Sequence, residues 1–204
     1  MLSRRFTTQP ILALAVAAGM VRRARTAAAA PHVVWAVADV REFQVPEPFA
    51  MVVSSAALHW ITPLDRTFAA LARLLVPAGQ LVCALMVDGT LGELHQARRQ
   101  LVPHKIPRAT LPAAAAVDQA LAAAGFRVHA AETEALSRHY ASATDFLHAI
   151  HAQGLTGGAC SQAPAPLTRR ELADLIRHYD AQFGCVGGVY ATYRVRYVHA
   201  ERPA

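Results

Sequence analysis

The chain has 204 residues, of which 54% are hydrophobic and 17% are charged. This length suits one domain, or one domain with a small lid, and the composition excludes a disordered chain. The formal net charge is +6, and every basic residue except Lys105 is an arginine. Such a surface favours acidic partners, such as a carboxylate substrate or an acidic protein. We expect no membrane or nucleic-acid partner because long apolar and basic runs are missing, although the charge keeps nucleic acid as an alternative.

The chain contains three cysteines, at Cys83, Cys160 and Cys185. An odd number without metal-ligand spacing argues against a disulfide framework and a zinc site, and a reduced cytoplasmic setting fits best. The N-terminus offers an alternative, because Arg4 and Arg5 precede an apolar run over Ile11–Met20 and no acidic residue occurs before Asp39. This pattern is also typical of a signal or transit peptide, which would make the location organellar.

Strands and helices are predicted to alternate in the first half of the chain. Short apolar runs predict strands over Ile11–Ala15, His32–Ala38, Phe49–Ser54 and Gln80–Met86. An apolar stripe predicts a helix over Ala18–Ala29. A second helix is predicted to begin with Thr62 as its N-cap and Pro63 at its first position. It is predicted to run to about Val76, before a stop at Pro77-Ala78-Gly79.

The second half is predicted to contain four more helices and two more strands. Helices are predicted over Thr90–Leu101 and Ala113–Ala124, and from capping boxes at Ser142–Asp145 and Thr168–Glu171. Gly125 is the predicted C-cap of the second of these helices, and Gly154–Pro166 is a predicted loop. Strands are predicted over Phe126–Glu132 and Val189–Ala200, the latter half-buried and antiparallel because its side chains alternate.

Apolar strands joined by crossover helices imply a mostly parallel sheet that helices cover on both faces. The predicted organisation is a core over residues 1–136, a helical lid over residues 137–186, and a C-terminal strand over residues 187–204 that returns to the core sheet. Neither a repeat nor a linker divides the chain into independent domains.

Two segments carry a resemblance to class I methyltransferases. Phe49–Trp60, FAMVVSSAALHW, resembles the fourth strand of that fold and the loop after it. Leu71–Val82, LARLLVPAGQLV, resembles its next helix, its Pro-Gly-Gly turn and its fifth strand. The resemblance implies a Rossmann-like α/β sheet with a small helical lid, and S-adenosyl-L-methionine as the cofactor.

Four more segments resemble the malonyl-carrier-protein O-methyltransferases of biotin biosynthesis. They are Thr90–Leu94, Tyr140–Gly154, Leu167–Arg170 and Tyr190–Tyr193. This resemblance implies a cytoplasmic enzyme that methylates the free carboxylate of a malonyl thioester. Its partner would be an acyl-carrier protein or a coenzyme A thioester.

The chain also departs from the family pattern. No Gly-x-Gly occurs, so we expect the sheet to lack its first strand and its glycine-rich loop. Ala15 stands where the family places an acid at the end of the second strand, Ala50 replaces an aspartate, and His151 replaces a lysine of the lid. We therefore expect an N-terminally truncated homologue with impaired activity. The alternatives are an inactive remnant that binds a partner, and a start codon placed too far downstream.

The resemblance places the cofactor-binding residues at the ends of three strands and, for Met20, on the helix after the first of them. They are Ala15, Met20, Asp39, Val40, Ser54 and Ser55. Ligands of open α/β sheets bind at the carboxyl ends of strands, which is consistent with this placement. Each residue has a simpler interpretation as well, since Met20 fits a helix core stripe and Asp39 fits an ordinary turn.

The candidate substrate residues lie in the loop after the fourth strand of the family and in the lid. They are His59, Trp60, Arg138, Tyr140 and Tyr193. A malonyl carboxylate is ionised at neutral pH, so its methylation needs no general base and no catalytic residue is assigned. The site needs a cation to orient the carboxylate, which arginine does with two parallel hydrogen bonds. No metal site is expected.

Overall fold

The computed structural model describes residues 5–27, 30–107, 110–153 and 165–204. Its first unit is a strand, a helix and a strand: β1 (Ile11–Ala15), α1 (Ala18–Ala27) and β2 (Val33–Val37). The two strands are parallel and form a two-stranded sheet, with Ile11 opposite Val33 and Ala15 opposite Val37. The three elements occur where the apolar periodicity predicts them.

The second unit is a five-stranded sheet with five helices. In chain order its elements are β3 (Phe49–Ser55), α2 (Leu64–Arg73), β4 (Leu75–Met86), α3 (Gly92–Leu101), α4 (Ala114–Ala123), β5 (Arg127–Tyr140), α5 (Ala143–Ala152), α6 (Arg169–Gln182), β6 (Gly184–Cys185) and β7 (Gly188–Glu201). Short 3-10 turns occur at Leu58–Trp60 and Pro103–Lys105. The strand order is β3-β4-β7-β5, with β6 paired to β7.

The sheet is split as expected for a fold without its first central strand. Among the described residues β1 pairs only with β2, and β3 pairs only with β4. β3 and β4 are parallel, whereas β7 is antiparallel to β4 and β5. The antiparallel strand confirms the prediction for Val189–Ala200.

Two hydrophobic clusters hold the second unit together. Helices α2 and α4 cover one face of the sheet, where Phe68, Leu71, Leu81, Leu85 and Leu121 are buried. Helices α5 and α6, which lie in the segment predicted to be a lid, pack on the N-terminal half of β7 and bury Phe146, Leu175, Tyr179 and Val189. In the C-terminal half of β7, Val198 and Ala200 are buried in the first cluster. The opposite face of this part of the sheet exposes Met51, Val53, Val82 and Tyr197.

Both helix starts predicted in the lid are confirmed. The Ser142 side chain accepts a hydrogen bond from the Asp145 backbone, and Thr168 with Glu171 forms a full capping box. The loop predicted over Gly154–Pro166 lies mostly outside the described residues. None of the described helices is long and apolar enough to cross a membrane.

The predicted boundaries of four elements were wrong. Strand β4 begins at Leu75 rather than Gln80, so the predicted stop at Pro77-Ala78-Gly79 lies inside the strand. Helix α2 ends at Arg73 rather than Val76, because Leu75 already pairs with Phe49 and begins β4. Its N-cap is Pro63 and not Thr62, because the first helical residue is Leu64. Helix α3 begins at Gly92 rather than Thr90. Strand β5 runs to Tyr140, well beyond Glu132, because it pairs with β7 along its whole length.

Candidate cofactor and substrate site

Strand ends that carry candidate cofactor residues meet at one edge of the fold. Ala15 ends β1, and its carbonyl accepts the Ala38 N–H just after β2 at 3.2 Å. The Arg41 guanidinium then donates to the Thr62 carbonyl at 2.8 Å, which joins the segment after β2 to the loop after β3. Carboxyl ends of parallel strands are the usual ligand-binding edge of such folds.

Asp39 lies at this edge, but its carboxylate already has a partner. Arg41 donates to it from the backbone N–H at 2.9 Å, from Nε at 3.1 and 3.2 Å, and from the terminal nitrogen at 2.6 Å. These side-chain and backbone hydrogen bonds lower the pKa of Asp39. Sequence reasoning missed Arg41, although an Asp-x-Arg pattern in a turn was the available signal.

The other candidate cofactor residues differ in their surroundings. Met20 on α1 is 66% exposed, so it is not a core residue of the described chain. Val40 packs against the main hydrophobic cluster. Ser54 is half-buried and Ser55 is exposed, both at the end of β3. The structure thus brings Ser54, Ser55, Ala15 and Asp39 to strand ends, while Val40 has a packing role.

His59 is a buried histidine at the same edge. Its Nδ1 accepts the Met86 backbone N–H at 3.3 Å, so the proton of the neutral ring is on Nε2. That Nε2 has no hydrogen-bond partner within the described chain. Burial lowers the pKa of His59 to about 4. His59 is therefore a neutral donor at neutral pH, and Trp60 packs beside it with ring centroids 4.9 Å apart.

The three lid candidates lie together. Arg138 and Tyr140 on β5 pair with Ala191 and Val189 of β7, so they share a sheet face with Tyr193. The Tyr140 and Tyr193 hydroxyls are hydrogen-bonded at 2.8 Å. Burial, and then the hydrogen bond from Tyr140, raises the pKa of Tyr193, which stays a neutral phenol. One cation and two hydroxyls thus border the lid, an arrangement suited to a small carboxylate.

The described residues fit S-adenosylmethionine only in part. The Ala15 methyl group cannot accept a hydrogen bond from a ribose, and Arg41 occupies the Asp39 carboxylate. The unpartnered Nε2 of His59 and the serines after β3 are polar groups that a ligand at this edge could use. No cluster of three or more metal-ligating side chains occurs among the described residues.

Comparisons with known proteins agree with this geometry. A family model described as a methyltransferase domain matches residues 1–79. The malonyl-(acyl-carrier protein) O-methyltransferase of Geobacter sulfurreducens is 32% identical over 98% of this chain and 78% of its own length. The protein of that name from a Paenibacillus species is 27% identical over 80% of this chain and 62% of its own length.

Solved structures give the same fold. A candidate methyltransferase from Bacillus halodurans superposes with a TM-score of 0.65 at 14% identity, over 95% of this chain and 83% of that chain. A geranyl diphosphate C-methyltransferase from Streptomyces coelicolor, solved with S-adenosyl-L-homocysteine, gives 0.54 at 15% identity, over 99% and 66% of the two chains. With its split Rossmann-like sheet and these relatives, the chain belongs to the malonyl-(acyl-carrier protein) O-methyltransferases, a family of S-adenosylmethionine-dependent enzymes.

Proposed function

We propose that the chain methylates the free carboxylate of a malonyl group held as a thioester on acyl-carrier protein. The observation that carries the proposal is the grouping of Arg138, Tyr140 and Tyr193 on one sheet face beside the lid. The names of the relatives support the same substrate. An odd number of cysteines without metal-ligand spacing favours a cytoplasmic location, which we propose with it.

In this proposal the protein mainly orients the substrate. S-adenosylmethionine supplies a methyl group that its sulfonium charge has already activated. Arg138 holds the malonyl carboxylate through two charge-assisted hydrogen bonds, and the tyrosine hydroxyls fix its direction. An ionised carboxylate is itself the nucleophile, so no residue has to remove a proton. The neutral His59 fits this picture, because it can donate a hydrogen bond without acting as a base.

A methylation assay tests the proposal. The chain is incubated with S-adenosylmethionine and malonylated carrier protein, and mass spectrometry detects the added methyl group. Arg138→Ala is expected to raise KM for the carrier about ten- to a hundredfold, since it removes a charge-assisted pair. Arg138→Lys should have a KM between those of the unchanged chain and Arg138→Ala, because an ammonium cannot form the two parallel hydrogen bonds. Arg66→Ala, at an exposed arginine on α2, is the control, and an equal effect there would contradict the assignment.

The start of α6 is the proposed docking surface for the carrier protein. Arg169 and Arg170 are its first two residues, and both are exposed. Cations at this end of a helix are unfavourable because the helix dipole is positive there. Two arginines at this position do not stabilise the helix, which points to a role in binding. Carrier proteins are acidic, so their negative charge complements that of the two arginines.

A titration at two salt concentrations tests this docking. Binding of a labelled carrier protein should weaken as salt rises, because exposed charges are screened beyond about 8–10 Å at physiological ionic strength. Changing both Arg169 and Arg170 to Ala should weaken binding further. The matched control changes the adjacent pair Arg22 and Arg23 on α1, which is also exposed. If neither salt nor the α6 double substitution changes the affinity for the carrier protein, this surface has no docking role.

A further inference from the structure

Strand β4 ends before its neighbour β7 does. The last pair between them is Met86 with Val195, and the described β7 continues to Gly188. The backbone groups of Thr192 and Arg194 on this side therefore need partners other than a strand. The segment from Val87 to Glu93, which ends in the first turn of α3, supplies all of them.

Contacts from four residues complete this edge. Val87 N–H donates to the Arg194 carbonyl at 2.9 Å, and Leu91 N–H donates to the Thr192 carbonyl at 2.6 Å. The Thr90 hydroxyl accepts the Arg194 N–H at 3.0 Å and lies 3.0 Å from its carbonyl. The Glu93 carboxylate accepts the Thr192 N–H at 3.1 Å and the Thr192 hydroxyl.

The backbone around these contacts is unusual. Leu91 has a φ of 54°, in the left-handed region that costs a non-glycine residue about 1–2 kcal/mol. This turn places Thr90 and Glu93 on either side of Leu91, each against β7. Strained positions persist where the surroundings hold them, and they concentrate at functional sites.

Tyr193 lies between the two held residues. Its own backbone pairs on the other side with Leu136 of β5, so the Thr90 and Glu93 contacts fix the strand immediately before and after it. Only 8% of Tyr193 is exposed, and its hydroxyl lies 2.8 Å from that of Tyr140. A shift of β7 at this point would separate the two hydroxyls, because hydrogen bonds weaken steeply with distance and angle.

We propose that Thr90 and Glu93 are positioning residues for the acyl site, a role that rests on the proposed function. They hold β7 where β4 has ended, and they thereby keep the Tyr193 hydroxyl against Tyr140 on the face that carries Arg138. Neither residue touches the substrate. Their effect passes through the backbone of Thr192 and Arg194.

The test compares three threonine variants of the full chain carrying 3-fluorotyrosine. Thr90→Val removes the hydroxyl at constant shape, Thr90→Ser keeps it, and Thr110→Val removes an exposed hydroxyl elsewhere. Fluorine NMR follows Tyr193 and Tyr140, with each resonance assigned by its Tyr→Phe variant. Calorimetry measures the affinity for malonyl-pantetheine, and circular dichroism checks the fold.

Thr90→Val should move both tyrosine resonances and weaken malonyl-pantetheine binding about tenfold, which is the value of one hydrogen bond. Thr90→Ser should restore both, and Thr110→Val should change neither. Unmoved resonances, or moved resonances with unchanged thioester affinity, would overturn the proposal. If Thr90→Val does not fold, Glu93→Gln takes its place. A wild-type chain that binds no malonyl-pantetheine would refute the proposed function, while the resonances would still decide the positioning of Tyr193.

Discussion

At the scale of single residues, Ala15 has the largest consequence for the cofactor. It ends β1, next to the backbone that leads to Asp39, and it replaces the acid that the family resemblance places there. A carboxylate at this point would accept hydrogen bonds from ribose hydroxyls, whereas a methyl group accepts none. The second carboxylate nearby, on Asp39, is held by Arg41.

We predict that the chain binds S-adenosylmethionine weakly, and that Ala15→Asp strengthens the binding about ten- to a hundredfold by adding charge-assisted hydrogen bonds. Isothermal titration calorimetry measures both affinities. Ala15→Asn has the same shape without the charge and should give a smaller gain. A low-micromolar dissociation constant for the unchanged chain would contradict this prediction.

His59 should make stability depend on pH. Its pKa falls from 6.5 to about 4 on burial, so protonation favours the unfolded chain. The fold should lose stability as the pH falls from about 6.5 toward 4, by roughly 3 kcal/mol in total, and gain nothing from this group above that range. Urea unfolding across this range gives the slope. His59→Gln should flatten it, and an unchanged slope would assign the dependence to other groups.

At the scale of elements, two adjacent glycines at the start of β7 allow the cost of backbone strain to be distinguished from that of a direct clash. Both have positive φ, 85° at Gly187 and 147° at Gly188. A Cβ at Gly188 would lie 2.0 Å from the Tyr140 carbonyl oxygen, whereas a Cβ at Gly187 would meet nothing within 4 Å. Gly187→Ala should therefore cost about 1–2 kcal/mol of unfolding free energy, and Gly188→Ala considerably more. Equal midpoints in denaturant would show that the strand moves aside.

The start of the lid helix α6 depends on one ion pair. Lys105 donates to Glu171 at 2.7 Å, and Glu171 also caps the helix. The hydrogen bonds from Lys105 and then Thr168 lower the pKa of Glu171 to about 2, so its contribution is complete above pH 4.5 and is lost as the pH falls toward 2. Glu171→Gln should speed amide exchange in the first turns of α6. Asp174→Asn, which breaks only a surface pair with Arg177, should change this exchange little.

The sequence predicted these elements well where local signals agree with the fold. Both lid caps and the left-handed Gly125 follow from side-chain chemistry within a few residues. The errors arose where contacts with a strand distant in the sequence determine the boundary of an element. Leu75 looks like the end of a helix but pairs with Phe49, and Thr90 looks like a helix start but binds β7.

The residues of the candidate site also divide into those that a motif in the sequence indicates and those that only the structure reveals. The resemblance assigned Ser54 and Ser55 to a strand end, and it assigned Arg138, Tyr140 and Tyr193 to a pocket at the lid. The structure places these last three residues on β5 and β7. Arg41 was missed although it follows its partner Asp39 by only two residues, and Glu93 was missed because its partner Thr192 is distant in the chain.

At the scale of the whole molecule, two features are expected to lower the stability. They are the division of the strands into two sheets and the exposed apolar face of the larger sheet. β1 and β3 each have one unpaired side among the described residues, and Met51, Val53, Val82 and Tyr197 are 37–44% exposed. Unpaired edges and contiguous apolar surface favour association.

We therefore predict that the isolated chain unfolds in steps and aggregates. Amides of β1 and β2 should exchange with solvent sooner than those of β4, which has a partner strand on each side. Hydrogen exchange with mass spectrometry resolves the two units. A single sharp, reversible, high-temperature transition of the monomer would contradict this prediction.

The Lys105–Glu171 contact affects the reactivity of the surface as well as the stability of α6. Lys105 is the only lysine, so it carries the only side-chain amine, and 12% of that side chain is exposed. Activated thioesters slowly acylate free amines, whereas an ammonium held in an ion pair has no lone pair to offer, and guanidinium groups resist the reaction. The basic surface that a malonyl thioester would meet thus carries guanidinium groups and no well-exposed lysine amine. Amine-directed cross-linkers will fail on that surface for the same reason.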